Sequence, residues 1–110
     1  MTHPDQIVDA VCSVFHVTRD DLMGDSRERI VSEPRKIAAY LIHTRSLLTY
    51  KQIATMFNRK DHTTVMYYVK TIKIDLLERA WIAQLVAEVE QTLGPIAAEP
   101  EPTTEPTPAP

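Results

Sequence analysis

The stretch that decides the fold runs Thr49-Tyr50-Lys51-Gln52-Ile53-Ala54-Thr55-Met56-Phe57-Asn58-Arg59-Lys60-Asp61-His62-Thr63-Thr64-Val65. Thr49 and Gln52 stand at capping-box spacing, where each side chain accepts from the other residue's backbone N–H, so a short helix begins at Tyr50. Asn58-Arg59-Lys60 makes the turn, because asparagine tolerates the left-handed backbone conformation that most side chains resist. Asp61 then caps a second helix by accepting from the amides of its first turn. Counting about 100° per residue from Val65, the side chains of Val69, Ile72 and Leu76 fall within about 40° of it and face a core. Thr63, Tyr67 and Lys70 face outward. The reading is a helix-turn-helix over residues 49–74.

Working outward, the flanks are helical as well. The chain has two glycines, and six of its eight prolines lie after Gly94. Ile7, Val11, Val14 and Phe15 form an apolar stripe that predicts a first helix over Pro4 to His16, with Cys12 as core filler. Thr18 caps a short turn through Leu22 and Met23, and a polar, partly basic loop follows from Gly24 to Val31. Ser32 is expected to start a long helix with Pro34 in its first turn. Ile37, Leu41 and Leu48 then line one side while Arg35 and Lys36 point away from it. A last amphipathic helix is expected from about Asp75 to Leu93, carrying Leu77, Trp81, Leu85 and Val89 and stopping at Gly94-Pro95. The expected fold is therefore all-α: a small, Trp-repressor-like helical bundle over 1–94, with a long C-terminal helix. Residues 95–110, made almost wholly of Pro, Glu, Thr and Ala, read as a disordered tail that solubilises the chain.

With 110 residues there is room for one domain of ordinary size. One cysteine excludes an internal disulfide and a paired-thiolate metal site, and no metal spacing links it to His3, His16, His43 or His62. Neither a membrane span nor a secretion leader is read, so a cytoplasmic protein is expected. The net charge of −3 hides a partition: residues 1–26 carry five acids and one base, 27–73 ten bases and three acids, and 74–110 seven acids and one base. A low overall pI does not argue against a nucleic-acid surface, because the field at close range follows local charge within a Debye length of ~8–10 Å.

A basic middle around a helix-turn-helix is a mechanism as well as a shape, since an α-helix fits the major groove and presents its N-terminal side chains to base edges. The run Arg59-Lys60-Asp61-His62-Thr63-Thr64-Val65 resembles the signature of the C-terminal DNA-binding domain of the bacterial chromosomal replication initiator DnaA. Ile53-Ala54-x-x-Phe57, Pro34-Arg35-Lys36-Ile37-Ala38 and the basic loop Ser26-Arg27-x-Arg29 extend the resemblance over roughly Ile7 to Ile74. It implies that Asp61, His62, Thr63 and Thr64 read or brace bases in the major groove. It also implies that Arg27, with Arg29 close by, enters the minor groove. Arg35 and Lys36 fall at positions that meet phosphate or groove edges, and Ser46, Leu48 and Lys51 where contacts to the DNA backbone are expected. Arg59, Lys60, Tyr67 and Lys70 complete the expected DNA-binding set. The chain has Tyr67-Tyr68 where members commonly have His-Ala, and Glu33 and Thr71 where some are basic, which weakens phosphate contact.

The expected function is sequence-specific binding of double-stranded DNA at DnaA-box-like sites by a stand-alone module, in replication initiation or its regulation. The alternative is a protein-interaction module or transcriptional regulator, derived from this domain, that meets replication or transcription proteins. No GxxxxGK[ST] loop and no nucleophile with an adjacent base occur, so neither an enzyme nor a cofactor is expected.

Overall fold

The computed structural model describes residues 2–26 and 28–94. The expected tail and Arg27 lie outside the described residues. Within them the chain forms six α-helices and no β-strand: α1 (Pro4–Phe15), α2 (Arg19–Met23), α3 (Arg29–Leu41), α4 (Tyr50–Met56), α5 (His62–Glu78) and α6 (Ala80–Leu93). α3 runs on into a π-helical turn over Ile42–Ser46 that ends at Leu47 in the left-handed conformation.

The helix boundaries come from local chemistry. His3 accepts the Asp5 N–H through Nδ1 at the head of α1, and Pro4 occupies the first helical position, where a missing N–H costs nothing. Thr18 and Asp21 close a capping box on α2, as Thr49 and Gln52 do on α4. Asn58 is left-handed at φ 57°, and the Asp61 carboxylate accepts the Thr63 N–H at 2.9 Å. The turn between α4 and α5 is therefore built as the sequence predicts.

One core collects Ile7, Val8 and Val11 from α1, Ile37, Ala38 and Leu41 from α3, Ile53 and Phe57 from the α4 region, Val65, Val69 and Ile72 from α5, and Ile82, Val86 and Val89 from α6. α3 packs chiefly on α5 and also on α1, while α5 packs on α4 and α6. The helix-turn-helix is thus braced from behind, leaving the outer side of α5 open.

Three expectations about elements are corrected. α3 starts at Arg29, one turn before Ser32, with no side-chain cap at Glu28; backbone bonds from Val31 and Ser32 to the Glu28 carbonyl start it instead. Pro34 consequently sits inside the helix, and it is buried there, its ring adding apolar surface. Leu48 does not continue the α3 stripe, because the π-helical turn and left-handed Leu47 end the helix before it. The last helix begins at Ala80: Arg79 has an extended backbone that breaks the helical phase after α5. The buried face of α6 is accordingly Ile82, Val86 and Val89, whereas Leu77 and Trp81 are 89% and 47% exposed.

Candidate nucleic-acid interface

α5 presents a ridge of exposed side chains along its first three turns: Thr63, Met66, Tyr67 and Lys70, with half-buried His62 and Thr64 at the head. The exposure follows from the opposite face, where Val65, Tyr68, Val69 and Ile72 are buried. Backbone bonding leaves the first amides of a helix without intrahelical partners, and the Asp61 carboxylate takes one of them. Those hydrogen bonds from Thr63, with the nearby His62 as a weaker contribution, hold the Asp61 carboxyl below its ordinary pKa. His62 Nδ1 lies 3.7 Å from the same carboxylate.

Grooves flank this ridge on both sides. Toward α3, an open groove is lined by Asp25, Ser32, Arg35, Lys36, Arg59, Thr64, Tyr67 and Tyr68. Within it the Lys36 ammonium lies 5.6 Å from the Tyr67 ring centroid, a cation–π contact that holds a positive charge beside the ridge. Toward α4, Tyr50, Met66, Tyr67, Lys70 and Lys73 line a second groove. Tyr50 is fixed by stacking on His43, ring centroids 4.5 Å apart, and His43 Nδ1 is 3.1 Å from the Leu48 carbonyl oxygen. Exposed Lys51 lies in the first turn of α4. Ser32, Tyr50, Met66 and Lys73 are not among the DNA contacts expected from the sequence. The signal for Met66 was available, three residues after Thr63 and four before Lys70 on one helix face.

Three of the expected DNA contacts are instead spent inside the protein. Arg35 is 3% exposed; its Nε, Nη1 and Nη2 donate to the carbonyls of Leu22 (2.8 Å), Ser26 (2.8 Å) and Asp21 (2.9 Å). Burial, and after it the Arg59 charge, pulls the Arg35 guanidinium below its ordinary pKa, with Tyr68 and Asp25 acting the other way. Arg59 donates to the Gly24 carbonyl at 2.7 Å and lies 3.4 Å from both the Asp25 carboxylate and the Tyr68 hydroxyl. Ser46 is 2% exposed, and its hydroxyl donates to the Thr2 carbonyl. In each case the side chain donates to backbone carbonyls that are buried, as at Leu22 and Thr2, or partly so, as at Asp21, Gly24 and Ser26.

The remaining expected residues that the structure describes are exposed or half-buried. Arg29 pairs with Glu33 one turn on, at 3.5 Å, and is otherwise exposed; Lys60 is exposed beside the turn. Leu48 is half-buried just before α4, and Arg27 lies outside the described residues. Among the described residues no cluster of His, Cys, Asp or Glu could hold a metal ion, and no helix is long and apolar enough to cross a membrane.

A short helix, a tight turn and a second helix with its polar leading face open define the class: a DNA-binding helix-turn-helix domain in an all-α bundle. The family described as "Bacterial dnaA protein helix-turn-helix" matches residues 4–72, and the chain belongs to that family. It is 41% identical over 75 residues to the chromosomal replication initiator protein DnaA of Synechococcus sp. (strain JA-2-3B'a(2-13)), a match covering 68% of this chain and 16% of that protein. It is 37% identical over 91 residues to the protein of the same name from Picosynechococcus sp. (strain ATCC 27264 / PCC 7002 / PR-6), covering 83% and 20%. With the DnaA of Bifidobacterium animalis subsp. lactis (strain AD011) the identity is 34% over 95 residues, covering 83% and 16%. The chain thus spans 16% to 20% of the length of these curated relatives.

Proposed function

We propose that this chain binds double-stranded DNA at DnaA-box-like sites, in replication initiation or its regulation, with the first turns of α5 seated in the major groove. The observation that carries the reading is the polar head of α5, exposed Thr63, Tyr67 and Lys70 with half-buried His62, and Lys36 held beside it. In this reading His62, Thr63 and Thr64 meet base edges, the threonines offering a hydroxyl and a methyl that suits a thymine. Asp61 keeps its capping bond and accepts from a cytosine amino group through its second oxygen. Lys36, Lys51, Lys60 and Lys70 meet phosphate, and Arg27 and Arg29 approach the minor groove.

With Arg35, Arg45 and Arg59 bonded internally, six of the nine described bases in residues 28–73 remain for phosphate and groove. About four to five phosphates then neutralise, so log affinity falls against log salt with a slope of about −4. A titration of the full chain on duplex DNA from low to physiological ionic strength measures it, and a flat response refutes the reading.

A second reading, contact with a replication or transcription protein, is favoured by an apolar groove lined by Phe15, Ile30, Pro34, Trp81 and Leu85. Such a contact is mainly apolar and weakly salt-dependent, so the same titration separates the two.

A further inference from the structure

We propose that Arg35 and Arg59 are positioning residues that lock the α2–α3 loop to the start of α5, holding two DNA-facing elements at one fixed spacing. The inference rests on the DNA-binding reading above. Four carbonyls within six residues, those of Asp21, Leu22, Gly24 and Ser26, accept from these two guanidinium groups. The first two belong to the last turn of α2, whose carbonyls have no intrahelical partner. Arg35 reaches them from α3. Arg59 reaches the loop from the helix-turn-helix turn, where its own N–H closes on the Ala54 carbonyl at 2.8 Å, and the same guanidinium lies against Tyr68 of α5. One side chain therefore touches the loop, the turn and the recognition helix.

Among the described loop residues, Asp25, Ser26 and Glu28 are exposed and bury no apolar surface, and the Glu28 N–H donates to the Ser26 hydroxyl at 3.2 Å. The loop's path is nevertheless tight: a Cβ on Gly24 would meet the Asp20 carbonyl oxygen at 2.9 Å. Two like charges are brought close to achieve this, with the Asp25 carboxylate 3.4 Å from Arg59 in partial compensation. A planar fork of donors suits several carbonyls at once, and a lysine ammonium does not.

The test compares the full chain with its Arg59→Lys and Arg35→Lys variants, on a duplex selected from random DNA by the wild type and on a scrambled duplex, across a salt series. Arg59→Lys is expected to lower affinity for the selected duplex about tenfold and for the scrambled one less than about twofold, with the salt slope unchanged. Amide exchange in residues 21–26 is expected to quicken while α1 and α6 keep their protection. A destabilised fold alone would weaken both duplexes together. If both weaken alike while α1 and α6 keep their protection, Arg59 meets the DNA backbone directly without setting the spacing, and the proposal is wrong. Faster loop exchange with unchanged selectivity also overturns it. Should the lysine variants fail to fold, Asp25→Asn, at a fully exposed carboxylate, is expected to lower the selected-to-scrambled ratio, and an unchanged ratio refutes the proposal. A wild type that shows no salt-dependent duplex binding sinks the DNA reading itself, which separates that failure from this one.

Discussion

Phe57 closes the helix-turn-helix, and replacing it with alanine should cost the domain much of its stability. Its side chain is fully buried in the core that also contains Ile53, Val65 and Val69. Its N–H donates to the Ile53 and Ala54 carbonyls at 2.9 and 3.2 Å, so the backbone there is already anchored and cannot easily collapse into a void. Truncating a buried phenylalanine to alanine costs about 3–5 kcal/mol, through lost transfer energy and the cavity left behind. A domain of this size has about 5–15 kcal/mol in all. At about 4–8 °C per kcal/mol, a melting temperature lower by about 15–30 °C is expected. Phe57→Leu, nearer in volume, should lose far less. Thermal and urea unfolding followed by far-UV circular dichroism measure both. A loss under about 1 kcal/mol for Phe57→Ala would mean that the α4–α5 turn is not packed as described, and the placement of α5 would fall with it.

Two further outcomes follow from the titratable groups. Because hydrogen bonds in the fold lower the Asp61 pKa, its stabilising contribution is complete above about pH 4 and is lost as pH falls through the depressed value. Wild-type stability should therefore decline relative to Asp61→Asn on acidification below about pH 4; parallel profiles by urea unfolding would contradict the cap. Cys12 is half-buried and burial, the largest effect on it, raises its thiol pKa against the opposing pull of Arg19, so alkylation at pH 8 should be slow in the native protein and fast in urea. Equal rates would place Cys12 outside the packed region.

The turn, the Thr49–Gln52 capping box, the Thr18 cap and the buried stripe of α5 were legible because each is set by residues a few positions apart. Thr49 with Gln52 and Asp61 with Thr63 are such pairs. Arg35, Arg59 and Ser46 were not, since their partners lie 9 to 44 positions away and no local pattern separates an arginine that binds carbonyls from one that binds phosphate. The last helix was misread for a related reason: the spacing Leu77, Trp81, Leu85 is helical on paper but crosses the extended residue Arg79, after which the buried phase restarts at Ile82. Pro34 suggested a helix start because proline is well tolerated in a first turn, yet backbone bonds to the Glu28 carbonyl start α3 a turn earlier and leave Pro34 inside it.

The central claim is that the head of α5 reads bases, and the selectivity of His62→Ala and Thr63→Ala tests it most directly. Each variant is measured against the wild type, at one salt concentration, on a duplex selected by the wild type and on a scrambled one. A base contact supplies about 1–3 kcal/mol of discrimination, so each variant should narrow the ratio of the two affinities about tenfold while the scrambled duplex binds almost as before. If both affinities fall by the same factor with the fold intact, these residues position the protein without reading sequence, and α5 is not the recognition helix.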